Sequence, residues 1–185
     1  MASRIAQAEL RRFNDAALEA TKQEWARQVG AAGVFNLDYG RTLDSIANHM
    51  NYENGGGGDH LAYGIFKKNQ PHACAVVHVV YTRKPAPTRG WLKMMEVRLS
   101  PELDLSVAAA DSDALLEVLQ IYAASISGTF ALQAVHPSNV VKIYGRNASL
   151  LQLLVALVPT LQASNFNAKM EGRWLVIPKR ETKKG

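Results

Sequence analysis

A single cysteine, Cys74, occurs in 185 residues. No internal disulfide can form, so a packed core has to hold the fold, and the usage fits a reducing compartment. Long apolar runs are missing too. The longest, Leu150–Leu161, is interrupted by Gln152 and Pro159. No run reaches the roughly 18 residues of a membrane-spanning helix, so no span is expected. The opening MASRIAQAELRRF carries charges where a signal peptide needs an apolar stretch, which argues against secretion by such a signal. No internal repeat is visible. The one low-complexity piece is Asn54-Gly55-Gly56-Gly57-Gly58-Asp59. Glycines cradle a phosphate when a helix N-terminus follows and aims free N–H groups at the anion. Here the following Leu61–Phe66 is strand-like, so the run reads as a flexible loop.

What is present suits a globular protein. Hydrophobic residues make up 48% and charged residues 20%, and the length fits one domain, residues 1–185, with a sizeable core. The net charge is +5, and part of it sits in a basic C-terminal tail, 179–185, where Lys179, Arg180, Lys183 and Lys184 face Glu181 alone. Such a tail can bind nucleic acid or an acidic partner. No aromatic residue interleaves with its charges, so a stacking platform for single strands is not indicated there. The plainer reading is a solvated terminus.

Hydrophobic spacing predicts a helix over Ile5–Val29, ended by Gly30-Ala31-Ala32-Gly33. A second short helix is expected after Asp38, with Leu43, Ile46, Ala47 and Met50 on one side. Leu61–Phe66 reads as a strand, and Asn69-Gln70-Pro71 turns it into His72–Thr82, which is rich in β-branched residues. A stiff basic connection, Lys84 to Gly90, leads to a third strand, Trp91–Leu99, read as one unbroken alternation. Three strands with short links predict an antiparallel meander. Asp111 or Ser112 can cap a helix whose buried stripe is Leu115, Leu116, Val118, Leu119 and Tyr122, with Gly128 as its stop. A strand over Phe130–Val135, a helix over Leu150–Gln162 and a last strand over Met170–Ile177 complete the series. The fold class this predicts is α/β (α+β), a mixed, mainly antiparallel sheet flanked by helices. Trp91–Leu99 and Phe130–Val135 are expected as neighbours, with the Ser112–Tyr122 helix crossing between them.

Candidate chemistry is sparse. His72 and His78, six apart on one strand, lie about 20 Å from each other, too far for one metal ion. His136 stands apart, and Asp59-His60 is a short acid–base pair in a loop. Cys74 lies in an apolar strand and reads as a small core residue. Glu96 interrupts the third strand, with Arg98 on the same face. A carboxylate in a cleft can serve as general base; the alternative is a Glu96–Arg98 pair on a solvated face.

The element order resembles the GNAT superfamily of N-acetyltransferases over roughly residues 11–179. The run Met95-Glu96-Val97-Arg98-Leu99-Ser100-Pro101 is similar to that fold's fourth strand. Asn147, Leu161, Asn165-Phe166 and Met170 to Ile177 are similar to its last helix and final strand. The resemblance implies acyl-CoA lying between splayed fourth and fifth strands. Glu96 would then be the base, and the Val97 and Leu99 backbone would pair with the pantetheine arm. The family holds the pyrophosphate with Arg/Gln-x-x-Gly-x-Gly/Ala at a helix N-terminus. The equivalent stretch here, from Asp104 to Asp113, has neither glycine nor a basic residue, and the last helix lacks the family's tyrosine acid; Tyr144 lies just ahead of it.

These differences imply a degenerate acyl-CoA site with no cofactor expected, or acetyl-CoA if the protein is active. The chain also looks similar to small acetyltransferase-like proteins of tailed bacteriophages. That likeness implies a protein partner, virion or host, and a location in the virion or the host cytoplasm. Arg83, Lys84 and Arg89, beside Trp91, Tyr63 and the Pro85–Pro87 connection, are the expected partner-binding residues, with the basic residues steering an acidic partner. A divergent active N-acetyltransferase and a nucleic-acid-associated basic protein are the alternatives.

Overall fold

A computed structural model describes residues 8–32, 37–49, 59–83, 90–109 and 111–179. The Gly55 to Gly58 run, Lys84, Arg89 and the prolines between them, and the tail beyond Lys179 lie outside the described residues. Seven strands form one sheet: β1 (Ala8–Arg12), β2 (Asp59–Lys67), β3 (Ala73–Thr82), β4 (Gly90–Leu99), β5 (Ser138–Tyr144), β6 (Lys169–Glu171) and β7 (Trp174–Pro178). Their order is β1-β2-β3-β4-β5-β7-β6, and only the β4–β5 pair is parallel. The expected mixed, mainly antiparallel sheet flanked by helices is therefore present. The helices are α1 (Asp15–Ala32), α2 (Leu37–His49), α3 (Pro101–Ala108), α4 (Ser112–Ala131) and α5 (Ala148–Ala163).

The two sheet faces carry separate cores. On one, Leu61, Ile65, Val77, Leu92 and Met94 pack with Val118, Ile121 and Tyr122 of α4 and Leu150 and Leu154 of α5. On the other, Ala62, Phe66, Ala73 and Val76 meet Leu18 and Trp25 of α1 and Tyr39, Leu43 and Ile46 of α2.

Ala8–Arg12, within the expected first helix, is instead strand β1, paired antiparallel with β2. Asn14 marks the boundary: its side-chain oxygen accepts from Ala17 N at 2.8 Å, so α1 starts after it. Leu10 of β1 lies against Gly128, where a Cβ would come within 2.5 Å of the Leu10 Cβ. Gly128 does not stop α4. It is a close-approach point that lets β1 pack on a helix continuing to Ala131. The expected strand over Phe130–Val135 is the end of that helix and a 3-10 turn, and the strand lies just beyond Pro137. The neighbour of β4 is thus Ser138–Tyr144, reached through α3 and α4.

The buried stripe of α4 also differs from expectation. Val118 and Tyr122 are buried, along with Ala114, Ile121, Ser125, Ile126 and Thr129. Leu115, Leu116 and Leu119 instead stand exposed, at 42%, 60% and 45%. In a helix apolar on most sides, periodicity alone does not say which stripe meets the sheet. By length and hydropathy Ser112–Ala134 could also cross a membrane, but in this fold its inner stripe packs across the sheet. The last strand is a hairpin, β6 and β7, whose two-residue turn opens on Gly172 at φ 61°, a left-handed conformation that glycine adopts without strain.

Candidate functional site

The register of β4 creates the site. His78 pairs with Glu96, but Val79 pairs with Met94, so Met95 is an extra residue in a β-bulge. The bulge shifts the alternation: Leu92 and Met94 are buried before it, Val97 and Leu99 after it. The unbroken alternation expected over Trp91–Leu99 is corrected accordingly. The β4–β5 pairing ends at the same point, with Met94 opposite Ile143. Past the bulge, β4 is registered only with β3, and β5 continues beside β7.

Ser100 N donates to Cys74 O at 2.9 Å. The two-residue alternation of an antiparallel pair then turns the backbone N–H and C=O groups of Val97 and Leu99 away from β3, toward β5. Their side chains stay in the large core, 8% and 6% exposed.

One contact spans this gap and a second lies beside it. Arg146, just past β5, ion-pairs with Glu96. Asn147 donates to the Tyr122 hydroxyl at 3.0 Å and caps α5 by accepting from Leu150 N at 2.8 Å. Burial pushes the Tyr122 phenol above its ordinary range, against the Asn147 bond; the charge of nearby Asp104 adds to the rise. Arg173 anchors the loop from the β6–β7 hairpin, donating to Gly145 O and Arg146 O, both at 2.8 Å. Glu96 therefore pairs with Arg146 and not with Arg98, whose guanidinium lies 5.4 Å from the centre of the Tyr39 ring. Tyr39 in turn donates to Asp104 at 2.7 Å.

A cleft of about 310 Å³ opens on this face between α2 and the sheet, with His78, Glu96, Arg98 and Arg146 in its wall. His78 stacks on His60, ring centroids 5.1 Å apart, with a 2.9 Å Nδ1–Nε2 hydrogen bond. The Asp59-His60 pair does not exist as an acid–base unit. The two adjacent residues of β2 point to opposite faces, and Asp59 binds Arg83 instead, at 2.9 Å. No group of three or more metal-ligating side chains occurs among the described residues. His72 lines a different cavity from His78, and His136 tilts against Tyr81.

That second cavity, about 380 Å³, lies at the N-terminus of α4. Helix N-termini attract anions through free N–H groups. Here the Asp111 carboxylate already accepts from Asp113 N at 2.9 Å and Ala114 N at 3.4 Å. Glu24, Glu102, Asp113 and Glu117 line the same cavity, with Lys67 and His72 as the basic residues. Helix α3, unforeseen in the sequence, is set between β4 and this end; the side chain of Gln28 accepts from Glu102 N at its start, at 3.2 Å. Cys74, in the same wall, is driven up to about 11 by burial and its thiol donates to Ile65 O at 3.3 Å. It is a protonated core residue, as expected. Replacing Asp111 by alanine is expected to lower stability by about 1 kcal/mol through the lost cap, measured by urea unfolding; an unchanged midpoint would show the cap to be idle.

Of the expected partner residues, Lys84 and Arg89 lie outside the described residues. Arg83 ion-pairs with Asp59 at 2.9 Å; the aspartate side chain is 4% exposed and that of Arg83 63%. Tyr63 is buried at 7% and offers no anchor. Trp91 is half-buried beneath the ammonium groups of Lys142 and Lys93, 4.6 and 5.3 Å from its ring. Sequence spacing gave no sign of the Trp91–Lys142 meeting, because it depends on the β4–β5 register.

No family model and no curated protein matches the sequence. Among solved structures, the chain is similar to a GNAT family acetyltransferase from Brucella melitensis in complex with acetyl-CoA. That likeness has 10% identity and a TM-score of 0.45 over 95% of this chain and 90% of the other. It is also similar to a GNAT family acetyltransferase from Staphylococcus aureus, at 8% identity and TM-score 0.37 over 94% and 100%. An acetyltransferase from Streptococcus agalactiae is similar at 7% identity and TM-score 0.40, over 94% and 98%. The fold class stated above follows from the strand order and register themselves.

Proposed function

We propose that this chain is a GNAT-like protein with a degenerate acyl-CoA site, and that it works by binding another protein. The observation that carries this reading is the N-terminus of α4. Two first-turn N–H groups, of Asp113 and Ala114, are taken by the Asp111 carboxylate, among four further carboxylates. A like charge held about 4 Å from a phosphate costs on the order of 4 kcal/mol at an effective dielectric near 20. The residues present do not fit the pyrophosphate of CoA.

The binding role is supported by the exposed stripe of Leu115, Leu116 and Leu119 on α4, since clustered apolar side chains on a surface mark interaction sites. A virion or host protein is the partner class that the resemblance implies. The second reading, a divergent N-acetyltransferase, is favoured by one observation: the β4 edge at Val97 and Leu99, turned toward β5 beyond their pairing.

Calorimetry with acetyl-CoA in low salt separates the two. The expected result is no measurable heat of binding. A micromolar dissociation constant, about −8 kcal/mol, would overturn the degenerate-site reading and favour the enzyme.

A further inference from the structure

We propose that the cleft between α2 and the sheet is a binding site for a small organic acid. Its electrostatics are opposite to those of the cavity at the α4 N-terminus. The described residues that line it include Arg41, Arg98 and Arg146, with Glu96 as the carboxylate among them. The three arginines come from α2, β4 and the segment after β5, so the fold brings residues distant in sequence to one cleft. Guanidinium forks match carboxylate geometry and form its strongest hydrogen bonds in proteins.

Arg146 and Arg98 have contacts already described. Glu96 fixes Arg146 at the rim. The Tyr39 ring lies under Arg98. Arg41 stands exposed on α2, one helical turn from Ser45, and Thr42 and Ser45 bring hydroxyls to the same wall. The floor is apolar, formed by Ile46, Ala62 and Val76. An apolar floor beneath these cations favours a carboxylate carried on a short aliphatic chain over a bare oxyanion. The volume of about 310 Å³ sits at the lower end of ligand pockets, roughly 300–1,000 Å³, which also fits a short-chain acid. The site is separate from the acidic cavity, so the proposal stands or falls independently of acetyl-CoA binding.

The test is thermal melting and calorimetry of the full chain with glutarate, against sodium chloride of matched ionic strength, with inorganic phosphate as a second probe. Glutarate is expected to raise the melting temperature saturably, beyond the chloride control. Arg41→Gln and Arg98→Gln should each weaken its binding by about tenfold or more, as expected for loss of a charge-assisted pair. Arg41 is exposed on its helix, so its variant keeps the test valid if Arg98→Gln fails to fold. A glutarate effect no larger than that of chloride, or one unchanged in Arg41→Gln, would overturn the proposal. Phosphate acting as strongly as glutarate would overturn its organic-acid part.

Discussion

Replacing Trp25 by alanine is expected to destabilise the protein by about 3–5 kcal/mol, the range for a fully buried aromatic. Trp25 is 1% exposed. Its indole N–H donates to Ala73 O at 2.9 Å, and Thr21 of the same helix accepts from Ala73 N at 2.9 Å. Both backbone groups of Ala73 are thus satisfied by α1 side chains. The need arises from a β-bulge: Ile65 pairs with Ala75 but Phe66 with Ala73, leaving Cys74 as the extra residue. A helix side chain completes the hydrogen bonding that the strand loses there. Trp25 also meets Tyr39 edge-on at 5.8 Å, and Tyr39 lies under Arg98, so the residue that fastens α1 also supports the basic cleft. Urea unfolding reads the effect. Trp25→Phe keeps most of the volume but orphans the Ala73 carbonyl, and should lose about 1–3 kcal/mol. A loss below 1 kcal/mol for the alanine variant would mean that α1 is fastened by other contacts.

Arg83→Ala is expected to cost roughly 1–3 kcal/mol, because it leaves a buried carboxylate without its cation. The side chain of Asp59 is 4% exposed, and that of Arg83 is 63% exposed; solvent screening at the arginine keeps the figure below that of a fully buried pair. The sequence suggested a charge that steers an acidic partner. The structure makes it the partner of an inward-facing aspartate. A double-mutant cycle with Asp59→Asn distinguishes the two: in the Asp59→Asn background the further loss from Arg83→Ala should shrink to near zero. Equal losses in both backgrounds would mean that Arg83 acts through something other than Asp59.

Much of the architecture was legible from residue type. The β-branched run of β3, the apolar run of α5 and the Asp111-Ser112 start of α4 are local signals, and local signals survive folding. The acidic character of the α4 N-terminus was legible as well, in the absence of glycine and basic residues between Asp104 and Asp113. The failures share one physical cause. β1 looked helical because its spacing fits both periods, and only pairing with β2 decides between them. Gly128 looked like a stop because a glycine that admits a neighbouring strand and one that ends a helix are the same residue type in sequence. The bulge at Met95 left a trace, the shift from Leu92 and Met94 to Val97 and Leu99, but a charged pair within the run obscured it.

By itself, then, the sequence determined the fold class, the single-cysteine core without disulfides and the acidic stretch ahead of α4, since each depends on composition or on neighbours within a turn or a strand. Tertiary structure alone decided which polar side chains meet. Glu96 finds Arg146, Asp59 finds Arg83, His60 finds His78, and Arg41 and Arg98 converge on one cleft. These partners are set by strand register and by α2 lying over one sheet face. A one-residue shift in register would send each strand side chain to the other side.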